Sequence, residues 1–152
     1  PGEHVCRFVS LHSGEFQIGL NCADENRNII DAKLTPEVFD TLISTEGSFY
    51  SFDLDRNQMK EIMELTGIIG GDNFKFHLNS EGLKLQDVDG KRMSVKISDE
   101  PSEAEVDWYI QKKNFEYADI QDYEVYLLEN RSVFKMKENN SNVLVLSRST
   151  EN

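Results

Sequence analysis

Cysteine, histidine and basic residues are all scarce in this 152-residue chain, and each shortage excludes something. Cys6 and Cys22 are the only cysteines. They flank a candidate hairpin turning at Ser13-Gly14, where one register sets them face to face. Nothing signals secretion, so they are read as reduced thiols of a cytosolic protein. No Cys-x-x-Cys occurs, and His4, His12 and His77 lack ligand-like spacing, so no metal site is assigned. No apolar run approaches the roughly 18 residues of a membrane helix. Asn130-Arg131-Ser132 and Asn139-Asn140-Ser141 match the glycosylation triplet, which carries no weight without a secretory route. Sixteen basic residues stand against 28 acidic ones, a net charge of −12. That balance excludes an ordinary nucleic-acid binder with an exposed basic face.

Catalytic motifs are absent too. Asp53 with Asp55, and Asp87 with Asp89, are paired carboxylates of a kind that can hold Mg²⁺. No third ligand, histidine or nucleophile is placed beside them. They read as cap and turn residues. A hydrolase is therefore a distant reading, and no cofactor is implied.

What is present is an ordered series of amphipathic segments. Val5 to Leu11 and Phe16 to Asn21 read as two strands, followed by a polar loop from Ala23 to Asn28. Thr35-Pro36 can open a short helix, but the apolar stretch Val38-Phe39-Asp40-Thr41-Leu42-Ile43 has no clear period. An extended connector with at most one helical turn is expected there. Tyr50 to Leu54 is a strand, and Asp55 with Gln58 forms a capping box for a helix. Met59, Ile62, Met63 and Thr66 give that helix a buried stripe, and Gly67 with Gly70-Gly71 ends it. Three strands follow from Asn73 to Ser98, turning at Asn79–Gly82 and at the hairpin signal Asp89-Gly90. Phe74, Phe76 and Leu78 share one face, continued by Leu83 and Leu85 and by Val95 and Ile97. An acidic loop, Asp99 to Glu105, leads to a second unit. It has a strand at Val106–Gln111, a helical turn within Lys112–Ala118, and strands at Tyr123–Leu128, Val133–Lys137 and Val143–Ser147. Residues 148–152 read as a frayed tail. The fold class is α+β, with tandem strand–helix–strands units and antiparallel sheets.

This order resembles the DNA polymerase sliding clamps of T-even-type tailed bacteriophages, which share the fold of proliferating cell nuclear antigen. The resemblance rests on the run from Phe52 to Met63, on Asn114 to Leu128, and on the closing strand Val143-Leu144-Val145-Leu146-Ser147. It covers residues 50–152, which read as a C-terminal clamp domain. Residues 1–49 read as the end of a preceding clamp domain plus an interdomain connector. Chains of this family carry a pair of such domains, so an upstream part or a shorter relative is implied.

The resemblance implies a non-enzymatic processivity factor in the cytoplasm, that of the host cell if phage-encoded. Three copies form a homotrimeric ring around duplex DNA, a clamp loader opens it, and the ring tethers the replicative DNA polymerase. Such a ring can be acidic outside and locally basic inside, and residues 50–152 hold 13 of the 16 basic residues. Arg56 and Lys60, one turn apart on the helix, and Lys112 with Lys113 in the second unit are the candidate DNA-facing residues. They are expected on one surface because each pair opens the equivalent helix. Lys91-Arg92 reads as plain surface. Val38, Phe39, Leu42 and Ile43 are the candidate pocket for a partner peptide. The alternative is an acidic α+β protein-interaction module of a phage with no DNA role.

Overall fold

Period-two alternation marks most of the regular elements, and among the described residues these are mainly strands. The computed structural model describes the backbone of residues 5–12, 15–21, 36–116, 118–138 and 143–150, and side chains from residue 40 onward within those ranges. The order is β1 (Val5–His12), β2 (Glu15–Asn21), α1 (Pro36–Ile43), β3 (Tyr50–Leu54), α2 (Arg56–Ile68), β4 (Asn73–Asn79), β5 (Gly82–Asp87), β6 (Ser94–Ser98), β7 (Val106–Gln111), α3 (Lys112–Phe115), β8 (Tyr123–Leu127), β9 (Arg131–Met136) and β10 (Val143–Ser147).

Two antiparallel sheets result, one ordered β2-β1-β10-β9-β8-β3 and the other β6-β5-β4-β7. The two units are interlaced. Strand β3 opens the first unit but pairs with β8 of the second, from Tyr50↔Leu127 to Leu54↔Tyr123. Strand β7 opens the second unit but pairs with β4 of the first, from Asn73↔Gln111 to Leu78↔Val106. Neither unit can complete its sheet alone. At the other end, β1 pairs with β10, from Phe8↔Leu146 to Leu11↔Val143, and β2 forms the edge.

The core lies between the sheets. Phe74, Phe76, Leu78, Leu83 and Leu85 are fully buried, as are Leu54, Val125, Leu127 and Phe134 opposite. Phe52 and Phe76 meet edge to face at 5.5 Å across the gap, a favoured aromatic geometry. Helix α2 closes one side with Met59 and Ile62. Short α3 contributes Phe115, whose ring sits 5.4 Å from Phe74 and 6.1 Å from Phe134. Val95 and Ile97 are only half-buried, because β6 is the edge of its sheet.

Asp55 caps α2 as its sequence predicts. Its carboxylate accepts from Gln58 N at 2.7 Å, and Gln58 Oε1 accepts from Asp55 N at 3.0 Å. Gly67 does not stop the helix, which runs to Ile68. The chain turns extended at Ile69, and Gly71 then takes φ +89°. A lone helical glycine costs only about 1 kcal/mol.

Three expectations are corrected. The 36–43 segment is an eight-residue helix, not an extended connector. Proline is suited to a first helical position, and the last turn lies on the six-stranded sheet, where packing supplies what the weak periodicity lacks. Asp89-Gly90 does not make a two-residue hairpin. The turn widens to residues 88–93 because the buried Asp87 carboxylate accepts from Arg92 N at 3.2 Å and Met93 N at 3.1 Å. Residues 148–150 are not frayed. Ser149 N donates to Tyr109 O at 2.8 Å, and Asn73 Nδ2 donates to Thr150 O at 2.8 Å. The Ser13-Gly14 turn, Cys22 and Tyr117 lie outside the described residues; within the hairpin, Cys6 is opposite Leu20.

Candidate functional site

The candidate cations stand on two helices, Arg56 and Lys60 on α2 and Lys112 and Lys113 on α3. At the far end of α2, the Ile69 carbonyl accepts from Lys112 Nζ, and Lys112 N donates to Asp72 O at 2.9 Å. At the near end, Arg56 N donates to Asp122 Oδ1 at 2.7 Å and Arg56 Nη2 to Gln121 Oε1 at 2.8 Å. The chain from α3 at 112–116 to residues 118–122 therefore passes from the far end of α2 to its near end. Arg56 and Lys112 sit at opposite ends of a helix about 20 Å long.

The four cations differ in freedom. Arg56 is tied to Gln121 and lies 3.9 Å from Glu138 Oε1. Lys112 is half-buried on the Ile69 carbonyl. Lys60 and Lys113 are exposed and form no ion pair among the described residues. The exposed carboxylates Glu61, Glu64 and Glu116 share these elements and dilute the positive potential. Lys91 and Arg92 lie exposed in the β5–β6 loop, and the Arg92 guanidinium reaches Gly70, next to the Ile69 carbonyl that holds Lys112.

The opposite face of the six-stranded sheet holds a second apolar cluster. Leu128, Val133, Val143 and Val145 are buried there, with Leu42, Ile43 and Tyr126 packed against them. Arg131 fixes the end of α1 over this cluster. Its Nε donates to Leu42 O, and its Nη2 donates to Thr41 O and Ser44 O, each at 2.9 Å. A helix end leaves carbonyls short of intrahelical donors, and here Thr41 O also accepts from Ser44 N at 3.3 Å. Burial lowers the Arg131 pKa. Of the candidate pocket residues, Leu42 and Ile43 face the sheet, while the side chains of Val38 and Phe39 lie outside the described residues.

The sequence reading missed a polar network on the outer face of the four-stranded sheet. His77 and Asp107 are cross-strand partners, with Nδ1 and Oδ1 2.6 Å apart. Lys75 Nζ lies 3.4 Å from Asp107 Oδ2, and Glu105 Oε1 lies 3.8 Å from His77 Nε2. Burial pushes the Asp107 pKa up, but the His77 hydrogen bond and the Lys75 charge outweigh it and hold the carboxyl below its ordinary value. Alternation puts Lys75 and His77 on one face; only the β4–β7 register adds Asp107. Asp53 pairs with Lys137 at 3.2 Å, and the Asp87 carboxylate is taken up by the Arg92 and Met93 amides. Among the described residues no group of three or more histidine, cysteine or carboxylate side chains is placed to hold a metal ion, and no helix is long and apolar enough to cross a membrane.

No family model matches this sequence, and no curated protein matches it. Solved structures do. A DNA polymerase III beta subunit from Thermotoga maritima is similar over 95% of this chain and 40% of its own, with TM-score 0.56 and 12% identity. A sliding clamp (DNA polymerase III subunit beta) from Pseudomonas aeruginosa, bound to griselimycin, is similar over 95% and 39%, with TM-score 0.58 and 14% identity. Proliferating cellular nuclear antigen from Entamoeba histolytica is similar over 95% and 60%, with TM-score 0.50 and 12% identity. The chain has the sliding-clamp fold. It spans about two-fifths of the length of the bacterial subunits it matches.

Proposed function

We propose that residues 50–152 supply a clamp domain to a ring that encircles duplex DNA without reading sequence and tethers a replicative DNA polymerase. The ring carries out no chemical step. The observation that supports this reading is the fold itself, interlaced strand–helix–strands units matching sliding clamps over nearly the whole chain. The physics agrees. Strands β6 and β2 end their sheets without a further strand among the described residues, and edge-to-edge closure of a ring would cover such edges. Lys60 and Lys113, exposed on the α2 side, can attract phosphates as point charges.

In its finer form the proposal is a phage-type homotrimer opened by a clamp loader in the host cytoplasm. Residues 1–49 contribute the end of a preceding clamp domain and the connector. A polymerase peptide docks beside α1, against Val38, Phe39, Leu42 and Ile43. A second reading, an acidic interaction module without a DNA role, is favoured by one observation: Glu61 and Glu64 accompany Lys60 on α2, and Glu138 faces Arg56.

Retention on DNA separates the two. The protein is loaded with its clamp loader onto nicked circular duplex, and the complex is gel-filtered before and after linearisation. A ring stays on the circle and slides off the linear form, and it sediments as a trimer. A monomer or dimer that is never retained on the circle defeats the clamp proposal and leaves the module.

A further inference from the structure

The acidic loop before β7 forms one wall of a groove that the clamp reading does not use. The groove holds about 420 Å³, within the usual range of a binding pocket. Its apolar lining comes from Phe49, Ala104 and Val106, and its carboxylates come from Glu103, Glu105 and Glu129. Phe49 is 44% exposed, although its backbone is fixed by a 3.0 Å bond from its N–H to Leu127 O. The walls are already formed. Ser102 N donates to Asn79 O at 2.9 Å, Ser102 Oγ to Ala104 O at 2.8 Å, and Tyr50 Oη to Glu100 O at 2.8 Å. A preformed wall lowers the ordering cost of any ligand.

Charge selects the ligand. Among the described residues Arg148 is the one cation lining the groove, and two of its donors are already engaged. Its Nη1 donates to Glu129 O and its Nη2 to Asp107 O, each at 3.1 Å, and its guanidinium lies 5.9 Å from the Trp108 ring centre. Glu103 and Glu129 form no ion pair among the described residues, and Glu105 has only the 3.8 Å approach to His77. Three glutamates thus line the groove beside one partly engaged guanidinium.

We infer that this groove docks a cationic segment of a partner protein. One apolar side chain inserts beside Phe49, and flanking lysines or arginines face Glu103, Glu105 and Glu129. None of its lining residues belongs to α1 or α2, so the site does not rest on the DNA-encircling reading.

The test is fluorescence anisotropy with a labelled peptide, Lys-Lys-Leu-Phe-Lys-Lys, against the full chain. Saturable binding that weakens as salt rises is expected. Phe49→Ser should weaken it about tenfold. Glu103→Gln and Glu129→Gln should each weaken it about threefold. All three positions are exposed, and an unchanged circular dichroism spectrum confirms that the variants fold. Lys60→Ala should leave affinity unchanged. No saturation below about 1 mM would overturn the inference. So would equal binding of a Lys-Lys-Ser-Ser-Lys-Lys peptide, which would mark bulk attraction to an acidic protein. Full affinity in the three groove variants would overturn it as well.

Discussion

Trp108 Nε1 donates to the Leu128 carbonyl at 3.0 Å and ties the four-stranded sheet to the β8–β9 turn of the six-stranded one. The tail reinforces the same seam. Arg148 reaches across it to Asp107 O and Glu129 O, and Ser149 bridges to Tyr109. The sheets are thus held by their shared core and by a polar seam at one end.

Replacing Trp108 by Phe keeps most of the buried ring area but leaves the Leu128 carbonyl without its donor. An orphaned buried acceptor, with some lost volume, costs about 2–4 kcal/mol. Urea unfolding followed by far-ultraviolet circular dichroism should show that loss. A variant within about 0.5 kcal/mol of the parent would mean the seam contributes little.

Acid should expose the Asp107 network. A carboxyl held below its ordinary value of 3.8 stabilises the fold above that value and loses the contribution as pH falls through the folded pKa. The side chain is 38% exposed, so screening keeps the effect below about 1 kcal/mol. Asp107→Asn should therefore be slightly less stable than the parent at pH 7, with the gap closing on the acid side of pH 3.8. A gap that stays constant through acid would place the effect in packing instead of charge.

Much of the fold was legible because it rests on local rules. The Asp55–Gln58 box, the Met59 and Ile62 stripe and the alternation at Phe74, Phe76 and Leu78 are each set within a few residues, and each stands as read. What escaped depends on partners far along the chain. Helix α1 gains its packing and carbonyl donors from residues about 90 positions away, such as Arg131. Asp87 widened a turn whose Asp-Gly signal pointed to a tight hairpin. The cation pairs could be named from spacing. That Arg56 is tied to Gln121 while Lys60 stays exposed follows only from tertiary structure.

Arg131 gives three donor contacts to the end of α1. Arg131→Lys retains charge but replaces a planar fork with a point donor, so it should not restore all three. Hydrogen exchange in residues 38–44 should quicken about tenfold in both Arg131→Lys and Arg131→Ala, matching a loss of roughly 1.4 kcal/mol in local stability. Protection unchanged in Arg131→Ala would show that Leu42 and Ile43 alone seat the helix.

The DNA-facing proposal makes its sharpest claim about which cations act. Arg56 and Lys112 are occupied by Gln121, Glu138 and the Ile69 carbonyl, so their removal should cost stability before it costs DNA contact. Lys60 and Lys113 are exposed and carry no such duty among the described residues. Each phosphate neutralised contributes about 0.9 to the slope of log affinity against log salt. The double variant Lys60→Ala, Lys113→Ala should thus fold normally yet flatten that slope by about 1.8 for each chain in contact with DNA. Glu61 and Glu64 work against them from the same helix, so Glu61→Gln with Glu64→Gln should strengthen retention on circular duplex. An unchanged salt slope in the lysine pair would move the DNA contact off α2 and leave the acidic interaction module as the better account.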